Sequence, residues 1–140
     1  MNATVKPTQL ISFEKGKELN KNYNEKRSAM LMERMGMEDA NAFWFSIEEL
    51  ERYITYVKET GEAKGYTVDG IRVYLGVYSS EEAKNADYTT VFLAPTGAKG
   101  AAQIQRDGTI PAPLNPIDIT EIEPLNYGSM GNPPKLNYGG

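Results

Sequence analysis

The side chains best suited to chemistry in this chain are an arginine and several tyrosines near its centre. Arg72, Tyr74 and Tyr78 alternate along one apolar stretch, and Tyr88 opens the next. An arginine among phenol groups can hold an anionic or aromatic ligand, or form part of a protein-binding surface. The sequence contains no histidine and no cysteine, so acid–base work would fall to Asp, Glu, Lys or Tyr. We therefore expect a binding protein rather than an enzyme, and predict no catalytic, cofactor-binding or metal-ligating residue.

Two strands are needed to position this group. Residues 71–78 and 88–94 alternate as half-buried strands do, which predicts a hairpin with one aromatic and one aliphatic face. The candidate interaction face consists of Arg72, Tyr74, Tyr78, Tyr88, Phe92 and the nearby Trp44. The opposite, aliphatic face consists of Ile71, Val73, Leu75, Val77, Val91 and Leu93.

Two helices are predicted before the hairpin. The first runs from a Ser12 cap to about residue 35 and stops at Gly36, although glycine and asparagines weaken its first half. The second covers residues 47–60, and Ser46 and Glu49 have capping-box spacing. Its predicted buried stripe is Ile47, Leu50, Ile54 and Val57. Residues 42–46 (AFWFS) suit a short strand between the helices.

The order helix–strand–helix–strand–strand predicts an α/β (α+β) fold. We expect a small two-layer sandwich with a mixed sheet of three or four strands, because a strand–helix–strand unit normally makes parallel strands. Asp69–Gly70 reads as a turn, and Pro95 should end the last strand. The predicted organisation is an irregular N-terminus (1–11), one domain (12–107) and a C-terminal segment (108–140).

The C-terminal segment is rich in proline and glycine but keeps many apolar residues, and it contains LNYG twice. One helix can shield only one face of a thin sheet, so the aromatic face needs a second cover. The N-terminal helix or this segment, folded as a strap, is one candidate cover; a second copy or another protein is the next, and a small ligand is the third. The candidate contacts in the segment are Leu125, Tyr127, Leu136 and Tyr138.

Other motifs favour ordinary structural roles. The loop PTGAKGAA (95–102) lacks phosphate-loop spacing and suits a plain turn. Glu48, Glu49 and Glu51 suit capping and the helix dipole rather than a metal site. Arg72 could pair with Glu81, Glu82 or Asp87. The methionines at 30, 32, 35 and 37 suit core filling, or else an adaptable docking surface.

Three runs carry a resemblance to known sequences: FWFSIEELERYITYVK, GIRVYLGVY and YTTVFLAPT. Together they resemble a family of small bacterial proteins for which no activity is established, over about residues 43–96. The resemblance implies the same fold and a bacterial cytosolic setting, and it transfers no catalytic residue.

Composition narrows the remaining functions. The 140 residues carry a net charge of −4 without a basic segment, so nucleic acid is a poor partner. No stretch suits a membrane span or a secretory signal, so we expect a cytoplasmic protein without membrane contact. The predicted function is a non-enzymatic protein–protein interaction or regulatory module, such as an assembly subunit or an immunity-type protein, that binds another protein or itself. The alternative is a small-molecule-binding protein, or an enzyme independent of His and Cys, that uses the Arg/Tyr face.

Overall fold

The computed structural model of the chain describes residues 5–82, 84–100 and 116–140. Its elements are α1 (Phe13–Tyr23), a π-helical turn (Asn24–Ser28), α2 (Ala29–Met35), β1 (Phe43–Trp44), α3 (Ile47–Ala63), β2 (Tyr66–Val77), β3 (Thr89–Lys99) and β4 (Ser129–Met130). The predicted α+β class is confirmed, as is the order of its helices and first three strands. The chain forms two compact units: residues up to Ala42 together with Gly131–Gly140, and Phe43–Met130. The predicted boundary at 107/108 lies outside the described residues, and the one at 11/12 does not coincide with this division.

The first unit is built on the continuous helical stretch of α1, the π turn and α2. The Ser12 hydroxyl accepts a hydrogen bond from the Lys15 amide at 3.0 Å, which begins α1 as predicted. Gly36 ends α2 with a φ of 73°, a conformation that suits glycine because it has no Cβ.

Asparagine side chains clamp the C-terminal residues onto this helix. The Leu136 amide donates to Asn41 Oδ1 (2.8 Å), and the Leu136 carbonyl accepts from Asn41 Nδ2 (2.9 Å). Asn20 and Asn24 donate to the same carbonyl at 3.3 and 3.4 Å. Asn20 also accepts from the Tyr138 amide at 2.9 Å. Backbone groups that have no strand to pair with are therefore satisfied by side chains.

The helix also leaves room for an aromatic contact. The rings of Phe13 and Tyr138 lie 5.3 Å apart. A Cβ on Gly16 would lie only 2.8 Å from Tyr138 Cε2, so glycine lets the ring approach the helix. The weak helix formers noted in the sequence thus occupy positions where the C-terminal residues dock.

We expect Asn24→Ala to destabilise the first unit by about 1 kcal/mol, although alanine is the better helix former. The substitution removes bonds to Leu136, Asn137 and Asn41. Asn22→Ala is the matched control, since Asn22 makes none of these bonds, and it should be neutral or slightly stabilising. Hydrogen exchange at residues 136–139, with urea unfolding, measures both effects; equal protection in the two variants would contradict the clamp.

The second unit contains a long antiparallel hairpin of β2 and β3. Val73 lies opposite Leu93, and Tyr74 lies opposite Phe92. The predicted turn at Asp69–Gly70 is wrong, because both residues lie within β2, where a bulge shifts the register between Val68 and Gly70. The strand thereby extends back to Tyr66, five residues beyond the predicted start.

The free edge of β3 is occupied by the strap, residues 116–128. Gly97 donates to the Ile117 carbonyl and Ile119 donates to the Pro95 carbonyl, both at 2.9 Å. Leu93 and Leu125 exchange two further bonds of 2.8 and 2.9 Å. Residues 116–128 of the predicted C-terminal segment (108–140) therefore pack along the hairpin, and some of them act as an irregular third strand.

Pro95 does not end β3, contrary to the prediction, and the run Pro95–Lys99 is strand rather than turn. The strand alternates, so Pro95 points its nitrogen to the same edge as Leu93 and Gly97, which donate to the strap. There the strap leaves β3 after Ile119 and returns at Leu125. The proline therefore interrupts no bond to β2, which explains why it is tolerated inside a strand.

The core of this unit lies between α3, β3 and the strap. Its buried residues are Tyr53, Val57, Leu93, Ile119 and Ile122. The Ser46 cap is confirmed, since Ser46 Oγ accepts from the Glu49 amide at 2.9 Å. The predicted stripe on α3 is wrong at Ile47 and Ile54, which are 72 % and 44 % exposed. The buried face is centred on Tyr53 and Val57 because α3 packs on the strap as well as on the hairpin.

The predicted mixed sheet differs from the observed one. β1 has two residues and pairs antiparallel with β4, with Phe43 opposite Met130, while β2 pairs with β3 in a separate sheet. A strand of two residues is too short to compete for an edge of the hairpin, and the strap already occupies the β3 edge. Within the described ranges, the strands are antiparallel.

We expect Tyr53→Phe to lose about 1 kcal/mol of stability at neutral pH, because the Tyr53 hydroxyl bonds to the carbonyls of Leu93 (3.1 Å) and Glu123 (2.9 Å). Burial, and then the neighbouring Tyr56, raise the pKa of Tyr53 to about 12 from 10.0 in the unfolded chain. The unfolded state therefore loses this proton first, and the stability that Tyr53 contributes falls as pH rises from about 10 to about 12.

The advantage in unfolding free energy of the wild type over Tyr53→Phe should accordingly fall across that pH window and reverse towards its upper end, because raising the pKa from 10.0 to about 12 outweighs about 1 kcal/mol. Urea unfolding at pH 7, 10 and 11.5 measures it. Tyr56→Phe, at a more exposed ring of the same helix, is the control and should change stability little. A constant difference at all three pH values would contradict the buried-phenol assignment.

Candidate functional site

The two faces of the β2–β3 hairpin are the candidate functional surfaces. Facing residues of an antiparallel pair lie on the same side, so Tyr74 and Phe92 share one face while Val73 and Leu93 share the other. The first is the predicted aromatic face. The second carries the aliphatic row of β2, which comprises Ile71, Val73, Leu75 and Val77.

A carboxylate of the strap, that of Asp118, binds two side chains of the aromatic face. Tyr74 and Phe92 stack with ring centroids 5.1 Å apart. Arg72 bonds to Asp118 Oδ1 at 2.5 Å and to the Pro116 carbonyl at 2.9 Å, and the Tyr74 hydroxyl donates to Asp118 Oδ2. The Tyr74 hydroxyl, and then Asp118, raise the pKa of Arg72. These groups satisfy one another, and the arginine is not left available for an anion.

At the other end of the aromatic face, the side chain of Asn126 binds a second tyrosine hydroxyl. Its Oδ1 accepts from the Tyr78 hydroxyl at 2.9 Å. Its Nδ2 donates to the Val91 carbonyl at 2.7 Å and contacts Thr90 Oγ1 at 3.2 Å. Asp118 and Asn126 thus fix the tyrosine hydroxyls, and no sequence pattern marked either residue in advance.

The structure brings together only part of the predicted interaction face. Arg72, Tyr74, Tyr78 and Phe92 lie on one side of the hairpin. Tyr88 lies at the far end, and Trp44 lies in β1, where its side chain is 66 % exposed. The expected pairing of Arg72 with Glu81, Glu82 or Asp87 is replaced by Asp118. Its partner comes from the strap, which sequence spacing could not place.

The candidate contacts of the C-terminal segment divide in the same way. Leu125 packs against the core of the second unit, and Tyr127 is 82 % exposed. In the first unit Leu136 is clamped by asparagines, and Tyr138 lies against Phe13. The two LNYG copies therefore serve different units.

The aliphatic row is the most exposed apolar feature of the hairpin. Val73, Leu75 and Val77 are 61 %, 76 % and 67 % exposed, and Ile71 is 37 % exposed. The expectation that α3 covers this row is wrong at Val73, Leu75 and Val77, because α3 packs on Leu93, on the strap and on the first part of β2. Alternation revealed that the hairpin has two faces, but not how far along β2 the helix reaches.

The acidic side chains of the described residues do not cluster around a common point. Among these residues, no group of three or more Asp or Glu side chains is placed to hold a metal ion. A hydrogen bond from the Tyr66 hydroxyl, and then the charge of Lys99, lower the pKa of Glu121, but Tyr66 and Glu121 meet at the exposed surface.

The predicted role of the methionines in filling the core does not hold for all four. Met30 and Met32 are exposed, whereas Met35 and Met37 are half-buried. No helix in the described ranges is long and apolar enough to cross a membrane.

Comparisons with protein-family models, curated proteins and solved structures found no match for this chain. The resemblance to a family of small bacterial proteins therefore stays a prediction. Function has to be argued from the geometry of the chain alone.

We expect Asp118→Ala to destabilise the protein by about 1–2 kcal/mol, because Arg72 and Tyr74 lose their shared partner in a half-buried setting. Glu123→Ala is the matched control: it removes an exposed carboxylate from the same strap and should stay within about 0.5 kcal/mol of wild type. Thermal and urea unfolding compare the two. An equal loss of stability in the two variants would mean that Asp118 acts only through its negative charge and not as the hydrogen-bond partner of Arg72 and Tyr74.

Proposed function

We propose that the protein is a non-enzymatic binding module that associates with a second copy of itself through the aliphatic row of β2. The observation that carries the proposal is the exposure of Val73, Leu75 and Val77 on one side of a strand. Four aliphatic side chains in line on a 12-residue strand are unusual at a solvent-facing surface.

The backbone of the same strand supports pairing. From Ile71 to Val77, β2 pairs with β3 alone among the described residues, so the other edge of this part of the strand offers amide and carbonyl groups to another strand. Natural edge strands are usually protected by charges or prolines. Between Ile71 and Val77 there is no proline, and the one charged residue, Arg72, points to the opposite face and is bound by Asp118.

A second copy fits this surface better than a partner of different chemistry. An apolar row needs no complementary charge, and a two-fold axis through an antiparallel β2–β2 pair places the two rows side by side on one face of the joined sheet. The side-by-side contact removes apolar area from water, which contributes about 25 cal/mol per Å², and the edge hydrogen bonds fix the orientation of the pair. A concentration-dependent dimer is the expected outcome.

We expect the wild type to form dimers in sedimentation-velocity experiments at tens to hundreds of micromolar. Leu75→Lys should shift it to monomer at all these concentrations, because a charge at the centre of the row would lie beside the same charge of the second copy in the joined sheet. Met30→Lys is the control: it introduces the same charge at a methionine of α2 that is 55 % exposed, and it should leave the dimer intact.

Circular dichroism spectra of the variants check that each one is folded. A wild type that stays monomeric at the highest concentration contradicts the proposal. If the dimer persists in Leu75→Lys, the interface does not include the aliphatic row, and the proposal is wrong. If Met30→Lys disrupts the dimer as much as Leu75→Lys does, the effect is not specific to the row, and the proposal is wrong as well.

A further inference from the structure

The second unit contains a cavity that the proposed dimer does not use. Its volume is about 310 Å³, and it lies between the loop end of the β2–β3 hairpin, where residues 78–88 join the two strands, and the short β1–β4 ribbon. Tyr78, Tyr88 and Thr90 line one side, and Phe43, Ser129 and Met130 line the other. This size is at the lower end of the range for small-ligand sites and suits a single ring.

The lining has an unusual composition for this charged protein. None of the described residues that line it is Asp, Glu, Lys or Arg, although such residues make up 24 % of the sequence. Its polar groups are the hydroxyls of threonine, serine and tyrosine and the amide of Asn85. The hydroxyls of Tyr78 and Thr90 are bonded to each other and to Asn126. Those of Tyr88, Tyr127 and Ser129 can rotate to donate or accept, so they match a ligand that carries hydroxyls itself.

Tyr127 lies at the mouth of this cavity in a costly conformation. Its φ is 66°, which non-glycine residues rarely adopt. Its side chain is 82 % exposed, so burial of the ring does not compensate for the backbone strain. Backbone strain that is not offset by burial of the strained residue's side chain is characteristic of binding sites.

The neighbouring glycine explains how Tyr127 is held there. A Cβ on Gly128 would lie 2.7 Å from Phe45 Cζ and 3.0 Å from the Trp44 carbonyl. Gly128 therefore lets the strap pass close to the strand β1 before it pairs as β4. This close passage fixes the position of the Tyr127 backbone beside the cavity.

The opposite wall is fixed before any ligand arrives. The Tyr78 hydroxyl donates to Asn126 at 2.9 Å and lies 3.2 Å from Thr90 Oγ1. Asn126 is the residue directly before Tyr127, so the strap sets both the wall and the mouth. A wall that is already ordered loses little conformational entropy when a ligand binds.

We infer that this cavity binds an uncharged, polyhydroxylated ring, a monosaccharide unit, with Tyr127 stacking on its apolar side. The lack of ionic side chains among the described lining residues disfavours phosphates, carboxylates and amines, which would lose their hydration without a counter-charge. A nucleobase needs a row of fixed donors and acceptors along a flat edge, and the amide side chain among these residues is that of Asn85. Rotatable hydroxyls and tyrosine rings fit a sugar better.

The test uses the full chain and a panel of probes in NMR and calorimetric titrations. The probes are glucose, galactose and N-acetylglucosamine, with adenosine and a hexose phosphate as comparators. At least one neutral sugar should bind saturably and shift the amide signals of residues 127–130. Tyr127→Gly should weaken that binding about tenfold, since stacking on one ring is lost, and glycine tolerates the positive φ, so the fold is kept.

Tyr88→Phe should also weaken binding, and Tyr56→Ala, at a partly exposed ring on α3, should not. Leu75→Lys should leave sugar binding unchanged, which separates this inference from the proposed dimer. The inference is overturned if no neutral sugar binds, or if adenosine or the hexose phosphate binds more tightly than every neutral sugar. Sugar binding that is insensitive to both Tyr127→Gly and Tyr88→Phe overturns it too.

Discussion

The pairing of β3 on both of its edges is the constraint on which the second unit depends. A two-stranded hairpin is only marginally stable in water, because half of its backbone groups and one of its faces have no partner. Here the strap supplies four backbone bonds to β3, and it inserts Ile119 and Ile122 beneath α3. The third strand of the core therefore comes from a region of the sequence that looks, by composition, like an irregular tail.

The strap also explains why the two faces of the hairpin behave so differently. Its polar residues, Asp118 and Asn126, neutralise the aromatic face and turn a candidate ligand surface into a satisfied network. Its apolar residues pack in the core beneath α3. From Ile71 to Val77, β2 is left with an exposed aliphatic row and, among the described residues, pairs with β3 alone. The proposed dimer and the proposed sugar site both lie where the strap does not reach or where it ends.

The sequence predicts local features well. The caps at Ser12 and Ser46, the stop at Gly36 and the strand alternation all follow from interactions between near neighbours. It does not predict which distant segment fills an edge, so the mixed sheet, the coverage of the aliphatic row and the pairing of Arg72 were wrong. The tyrosines of the cavity were noticed as part of a flat face, but the strain at Tyr127 depends on the path of the strap and left no signal in the sequence.

The distance along the chain between Leu93 and its partner Leu125 has a consequence for biosynthesis. At a usual rate of about 5–20 residues per second, roughly 2–6 s of translation separate the two residues. During that interval β3 has one unsatisfied edge, and Tyr53, Val57 and Leu93 lack the isoleucines that close over them. During this interval the exposed edge of β3 can pair with a strand of another chain. The hairpin of β2 and β3 is therefore the part of the nascent chain that a chaperone would need to bind.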